Sequence, residues 1–153
     1  MDRLGQTAPP GKSYESSITV RFGDTDPYGV VYFASYFRYC HQGVEDLLTH
    51  LGFAPEEAFK STQEGFGLPI VDAKCSFMRP VRYGQKMRLR VCLLQARTKA
   101  MTFGFYFYPA EEDVLVARGE ATLVAIDQNW KSRAIPEKLR EALAPYMPPM
   151  HTS

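Results

Sequence analysis

From Tyr14 to Phe22 apolar and polar positions alternate, with Ile18, Val20 and Phe22 on one side and Thr19 and Arg21 on the other. A period of two predicts a strand with one buried face. A Gly/Asp/Pro cluster, Gly23 to Gly29, then reads as a turn. Beyond it Phe33, Phe37, Cys40, Val44, Leu47, Leu48 and Leu51 recur at steps of three and four, the stripe of a long helix that Gly52 would stop. Tyr32, Tyr36 and Tyr39 widen that stripe, so more than one side of the helix should be covered. Residues 53–67 read as a short helix and a loop. Alternation returns in Val71, Ala73, Cys75, Phe77, in Met87, Leu89, Val91, Leu93, in Met101, Phe103, Phe105, Phe107, and from Val114 to Ile126. A last helix is expected over Pro136–Tyr146, with proline in its first turn.

One strand, one long helix and four strands joined by short turns predict an α+β domain with a mainly antiparallel sheet and the helix on one face. The 153 residues suit a single domain. Residues 1–13, rich in Pro, Gly, Gln and Ser, are expected as a flexible N-terminal arm, and 14–147 as the folded domain.

Charge and cysteine usage narrow the function classes. A net charge of +1 gives no support for a nucleic-acid or membrane-surface partner. Met1–Gly11 has no apolar core of a signal peptide, and no apolar run reaches membrane-spanning length. Cys40, Cys75 and Cys92 are odd in number and lack zinc-ligand spacing, so neither a disulfide framework nor a metal site is expected, and a cytoplasmic setting follows. The aromatic Phe103–Tyr108 run is core and sheet face rather than a base-stacking surface.

The segment Phe22-Gly23-Asp24-Thr25-Asp26-Pro27-Tyr28-Gly29 puts two carboxylates between a buried strand and a helix start. A helix N-terminus offers unpaired N–H groups and a positive dipole end, which suit a developing oxyanion. A carboxylate beside it can act as a nucleophile or as a base on water. The same residues are also ordinary turn and capping chemistry, and from spacing alone both readings stand. Asp24 is expected as a turn or cap.

Gly23-Asp24-Thr25-Asp26-Pro27-Tyr28-Gly29-Val30-Val31-Tyr32, followed by Ser35-Tyr36, resembles the signature of the 4-hydroxybenzoyl-CoA thioesterase family. Gly67-Leu68-Pro69-Ile70-Val71, Phe77-Met78-Arg79-Pro80-Val81 and Arg133-Ala134-Ile135-Pro136 resemble later segments of it. The resemblance spans about residues 14–140. It implies a hotdog fold, a long central helix wrapped by a curved, mainly antiparallel sheet. It implies hydrolysis of an acyl-CoA, aromatic acyl groups included, or of an acyl carrier protein thioester, with no cofactor, in a homodimer or homotetramer. The second aspartate, Asp26, is then the catalytic carboxylate, and the backbone amide at Phe33 polarises the carbonyl. Many bacterial relatives carry histidine where this chain has Phe33, so the oxyanion site here should rest on amides. Cys40-His41 with Glu45 is similar to the branch that hydrolyses 1,4-dihydroxy-2-naphthoyl-CoA.

Substrate contacts are expected from Tyr28, Gly29, Val30, Tyr32, His41, Glu45 and Phe66, and contacts to the coenzyme A phosphates from Arg79, Arg97, Lys99, Lys131 and Arg133. His41 and Glu45 read equally well as a solvated i,i+4 pair, and basic side chains at turns are commonly only solvated. Arg88 and Arg90 read as a wet strand face, and His50 and His151 as surface residues. Two other functions fit the same pattern: a non-catalytic acyl-thioester-binding protein, and a hotdog dehydratase. The second would want a histidine beside Asp26, which the sequence does not supply.

Overall fold

Alternation in the sequence becomes a curved five-stranded antiparallel sheet of order β1-β5-β6-β7-β4 in the computed structural model, which describes residues 7–54, 56, 60–61 and 66–149. The strands are β1 (Tyr14–Thr19), β4 (Ile70–Phe77), β5 (Lys86–Ala96), β6 (Ala100–Pro109) and β7 (Ala117–Val124). Two-residue strands β2 (Lys60–Ser61) and β3 (Phe66–Gly67) pair separately. The helices are α1 (Phe33–His50) and α2 (Glu137–Leu143). The strand pair occupies part of the segment 53–67 expected as a short helix and a loop; Glu56 is helical, and residues 55, 57–59 and 62–65 of that reading lie outside the described residues, as does His151.

Helix α1 lies across one face of the sheet. Its buried stripe is Tyr36, Tyr39, Cys40, Gly43, Val44, Leu47 and Leu48, packed with Leu89, Val91, Phe103, Phe105 and Phe107 into the main core. The close approach occurs at Gly43, where a Cβ would stand 2.7 Å from Leu89 Cδ2 and 2.8 Å from Val91 Cγ2. Gly52 ends the helix as expected, in the left-handed conformation (φ 92°) that glycine adopts without steric cost. The expected stripe is rotated, however. Phe33 and Phe37 are exposed, while Tyr36 and Tyr39 take the inward positions. Their rings pack on Phe107, whose centroid is 5.1 Å from that of Tyr36.

Two more expectations change at the sheet margins. Phe22 is not on the buried face of β1: the strand ends at Thr19, and Phe22–Asp24 forms a 3-10 turn with Phe22 in solvent. β4 pairs antiparallel with β7, and as an edge strand that α1 covers only in part, through contacts such as Tyr36 on Phe77, it leaves Ile70, Val71 and Phe77 substantially exposed. On the opposite face of the sheet Cys92, Tyr106, Tyr108 and Leu115 form a smaller cluster. There the Tyr108 hydroxyl donates to the Thr7 carbonyl of the N-terminal segment; at the margin of the main core, Lys12 Nζ lies 5.0 Å from the Tyr146 ring centroid. Among the described residues no helix is long and apolar enough to cross a membrane.

Candidate active site

The segment between β1 and α1 is held by backbone bonds before any side chain acts. The Gly29 N–H donates to the Asp26 carbonyl at 2.9 Å and the Asp26 N–H to the Val30 carbonyl at 2.9 Å. Together with the Thr25–Val31 bridge these bonds close a tight hairpin. Gly29 sits at φ 78°, a conformation that favours glycine at this turn. The Val31 N–H donates to the Val81 carbonyl at 2.8 Å and so fastens the hairpin to the segment before β5.

The two carboxylates then separate. Asp24 is engaged on every side. Its Oδ2 accepts from the Tyr39 hydroxyl at 2.8 Å and from the Arg21 N–H at 3.0 Å, and its Oδ1 pairs with Arg38. Its carbonyl accepts from the Tyr32 N–H at 2.9 Å and the Ser35 hydroxyl at 3.0 Å. Asp24 therefore anchors the turn to α1, the structural role expected of it. Burial, and then the hydrogen bond to Asp24, push the Tyr39 phenol well above its ordinary range, so it remains a donor.

Asp26 Oδ1 accepts from the Tyr28 N–H at 2.9 Å and the Val30 N–H at 3.4 Å. Its Oδ2 has no donor among the described residues. The carboxylate lines a cleft of about 440 Å³ together with Val30, Tyr32, Phe33, Tyr36, Phe77 and Arg79. Helix α1 begins at Phe33 with no side-chain cap at Tyr32. The amides of Phe33 and Ala34 precede the intrahelical ladder, and neither has a backbone or side-chain acceptor among the described residues. The site thus offers a carboxylate oriented by two amides, a helix N-terminus and an aromatic-walled cleft. Such a set can bind a carbonyl oxygen and direct a water or a carboxylate oxygen at its carbon.

Of the residues expected from sequence, Asp26, Val30, Tyr32, Phe33 and Arg79 meet in this cleft. The turn brings Tyr28 and Gly29 beside it, although the Tyr28 ring is 84% exposed. Others lie elsewhere in the chain. His41 Nδ1 pairs with Glu45 Oε1 at 3.1 Å, two helical turns and roughly 12 Å beyond Phe33 along the axis. There His41 edges a small crevice with Phe37, Cys40, Val44 and Ile70. Phe66 is a core residue, 6% exposed, under the Arg133 guanidinium. Arg97, Lys99, Lys131 and Arg133 gather beyond the far end of β5, an 11-residue strand whose start borders the cleft, so roughly 30 Å separates them from Asp26 within one chain. Tyr36, Phe77, Met78 and Val81 line the cleft without having been singled out. The apolar Phe77-Met78 pair ahead of Arg79-Pro80 was the available signal. No group of three or more His, Cys, Asp or Glu among the described residues could hold a metal ion.

A long helix cradled by a five-stranded antiparallel sheet, with an acidic turn and cleft at the helix start, is the hotdog architecture of thioesterases. The chain belongs to the thioesterase-like superfamily, whose family model matches residues 20–143. It is 35% identical over 126 residues to the 1,4-dihydroxy-2-naphthoyl-CoA hydrolase of Synechococcus sp. (strain CC9311), covering 78% of this chain and 82% of the relative. Against the enzyme of that name from Nostoc punctiforme it is 32% identical over 121 residues, with 79% of each chain covered. Among solved structures, a 1,4-dihydroxy-2-naphthoyl-CoA thioesterase from Synechocystis superposes with a TM-score of 0.81 at 25% identity, covering 87% of this chain and 96% of that one. A gentisyl-coenzyme A thioesterase gives a TM-score of 0.73 at 26% identity, covering 86% and 99%. The fold is thus the expected hotdog, the likeness to the dihydroxynaphthoyl branch holds, and the chain is a thioester hydrolase.

Proposed function

We propose that the chain hydrolyses acyl-coenzyme A thioesters carrying an aromatic acyl group, with Asp26 as the catalytic carboxylate. The observation that carries this reading is the position of Asp26, in a cleft walled by Tyr32, Phe33, Tyr36 and Phe77 at the start of α1. The thioester carbonyl binds at the Phe33 amide. Asp26 takes the proton of an attacking water, or attacks the carbonyl carbon itself to give an acyl-aspartyl anhydride that water then opens. The C–S bond breaks, and the thiolate leaves and is protonated. The relatives named for dihydroxynaphthoyl-CoA and gentisyl-CoA support an aromatic acyl group carried on coenzyme A over a carrier-protein thioester.

The working unit is a homodimer in this reading. β4 is a sheet edge, and it presents Ile70, Val71 and Phe77 next to the exposed Phe33 and Phe37 of α1. Exposed apolar edges of this kind invite pairing. A two-fold axis makes paired edges antiparallel, so the Phe77 end of one subunit meets the Ile70 end of the other. The basic corner of the partner subunit then approaches the cleft, and the separation of Arg97, Lys99, Lys131 and Arg133 from Asp26 disappears. His41 and Glu45, beside Ile70 and Phe37, would fall within the same interface.

Thiol release from a panel of aromatic and aliphatic acyl-CoAs tests this reading. Turnover with the aromatic esters preferred is the expected outcome. Binding of the panel without thiol release would instead favour an acyl-thioester-binding protein, and a preference for aliphatic chains would refute the aromatic assignment.

A further inference from the structure

Residues 127–131 build a tight turn that presents an indole to solvent. Asp127 Oδ1 accepts from the Asn129 N–H at 2.7 Å and the Lys131 N–H at 3.0 Å, and the Trp130 N–H donates to the Asp127 carbonyl at 3.1 Å. These bonds hold Trp130 at φ 63°, where it is the only non-glycine residue with positive φ among those described. A bulky side chain there is an outlier, since glycine or asparagine fills such positions at less cost. Nothing in the packing accounts for the choice: Trp130 is 77% exposed and makes no ring contact among the described residues. Strain without a packing gain points to function.

The surroundings indicate what the indole meets. Lys131 follows it in the turn. The Arg133 N–H donates to the Ala125 carbonyl at 2.9 Å, and the Ala125 N–H to the Lys99 carbonyl at 2.8 Å, so the Arg97–Lys99 turn lies against the same segment. An exposed π-face in a corner carrying four cations has the chemistry that recognises a phosphorylated purine nucleoside.

We propose that Trp130 is the stacking platform for the adenine ring of coenzyme A, with Lys131, Arg133 and the Arg97–Lys99 turn receiving its phosphates. The inference rests on the acyl-CoA reading above and, through the antiparallel β4 pairing, places the partner subunit's Trp130 at the outer end of the cleft. The nucleotide contributes binding at the indole and takes no part in the bond that breaks.

Trp130 is the single tryptophan of the chain, so its fluorescence reports this place alone. Coenzyme A and adenosine 3′,5′-bisphosphate should quench it saturably, and pantetheine should not. Trp130→Gly should raise KM for an acyl-CoA about tenfold with kcat unchanged. It should leave kcat/KM for the same acyl group on N-acetylcysteamine as it was. Its unfolding midpoint should be equal to or above the parent's, because glycine accepts this φ. A merely structural tryptophan would lower the midpoint and affect both substrates alike. Absence of quenching by coenzyme A, or a KM within twofold of the parent's, overturns the proposal. Hydrolysis without quenching would refute the platform alone, and quenching without hydrolysis would refute the hydrolase reading alone.

Discussion

Asp24 and Tyr39 should be coupled through a partly buried hydrogen bond that ties the acidic turn to α1, and a double-mutant cycle measures that coupling. The Tyr39 hydroxyl donates to Asp24 Oδ2 at 2.8 Å, and the tyrosine is buried. A bond to a charged acceptor of this kind contributes roughly 1.5–3 kcal/mol. Asp24→Ala also removes the acceptor for the Arg21 N–H at 3.0 Å, a capping interaction of about 1 kcal/mol. The pair with Arg38 adds little, about 0–1 kcal/mol, because the arginine side chain is 59% exposed. Asp24→Ala should therefore cost about 2.5–5 kcal/mol in urea unfolding at pH 7, and Tyr39→Phe about 1–2 kcal/mol. In the double variant the two should fall short of additivity by about 1.5 kcal/mol. Because the Tyr32 N–H and the Ser35 hydroxyl bind the backbone carbonyl of Asp24, Asp24→Ala should keep the cleft in place. It should turn over substrate within about tenfold of the parent where it is folded. Additivity within about 0.5 kcal/mol would show that the bond does not form as described.

Other parts of the fold carry their own tests. Gly43→Ala should lower stability by about 1–2 kcal/mol, because crowding against the buried Leu89 and Val91 side chains outweighs the gain in helix propensity; a variant as stable as the parent would refute that packing. Burial pushes the Cys75 and Cys92 thiols up to about 12 and raises Cys40 well above its ordinary range. Ellman's reagent at pH 8 should therefore react slowly with the native protein and release all three equivalents only in guanidinium; rapid stoichiometric reaction of the folded chain would contradict this. The Lys131 and Asn129 amides hold the Asp127 carboxyl below its usual range. Their contribution is present above the ordinary carboxylate pKa and is lost as pH falls through the depressed value. Trp130 emission should stay constant from pH 7 to about pH 5 and change only below about pH 4. A transition at higher pH would refute the turn's electrostatics.

The readable parts of this chain were those where one period and one partner decide the outcome. The alternation of Met87–Leu93 and Met101–Phe107 set faces that the sheet kept, and Gly52 stopped α1 because a positive φ was needed there. Helix periodicity was less decisive between neighbouring stripes. Phe33 and Phe37 stand four apart and Tyr36 and Tyr39 three apart, both steps of a helical stripe, and it is the packing against Phe107 of β6 that takes the tyrosines inward. The apolar face of β4 was legible, but its exposure was not, since that depends on how far α1 reaches across the sheet. At the site, the acidic turn and helix start could be read locally. Phe77 and Val81 were legible only as apolar positions flanking Met78-Arg79-Pro80, because a long-range pairing is what brings them opposite Asp26. The basic residues at both ends of β5 looked alike in sequence, and the length of the strand is what separates them.

Replacing Asp26 by asparagine examines the catalytic assignment with the least disturbance. Asparagine keeps an oxygen for the Tyr28 and Val30 amides that hold the side chain and loses only the charge and the second carboxylate oxygen. With the aromatic acyl-CoA that the parent cleaves fastest, kcat of Asp26→Asn should fall by roughly 10²–10⁴-fold, with the unfolding midpoint and the KM little changed. Full activity in that variant would contradict the mechanism, whatever the substrate panel shows.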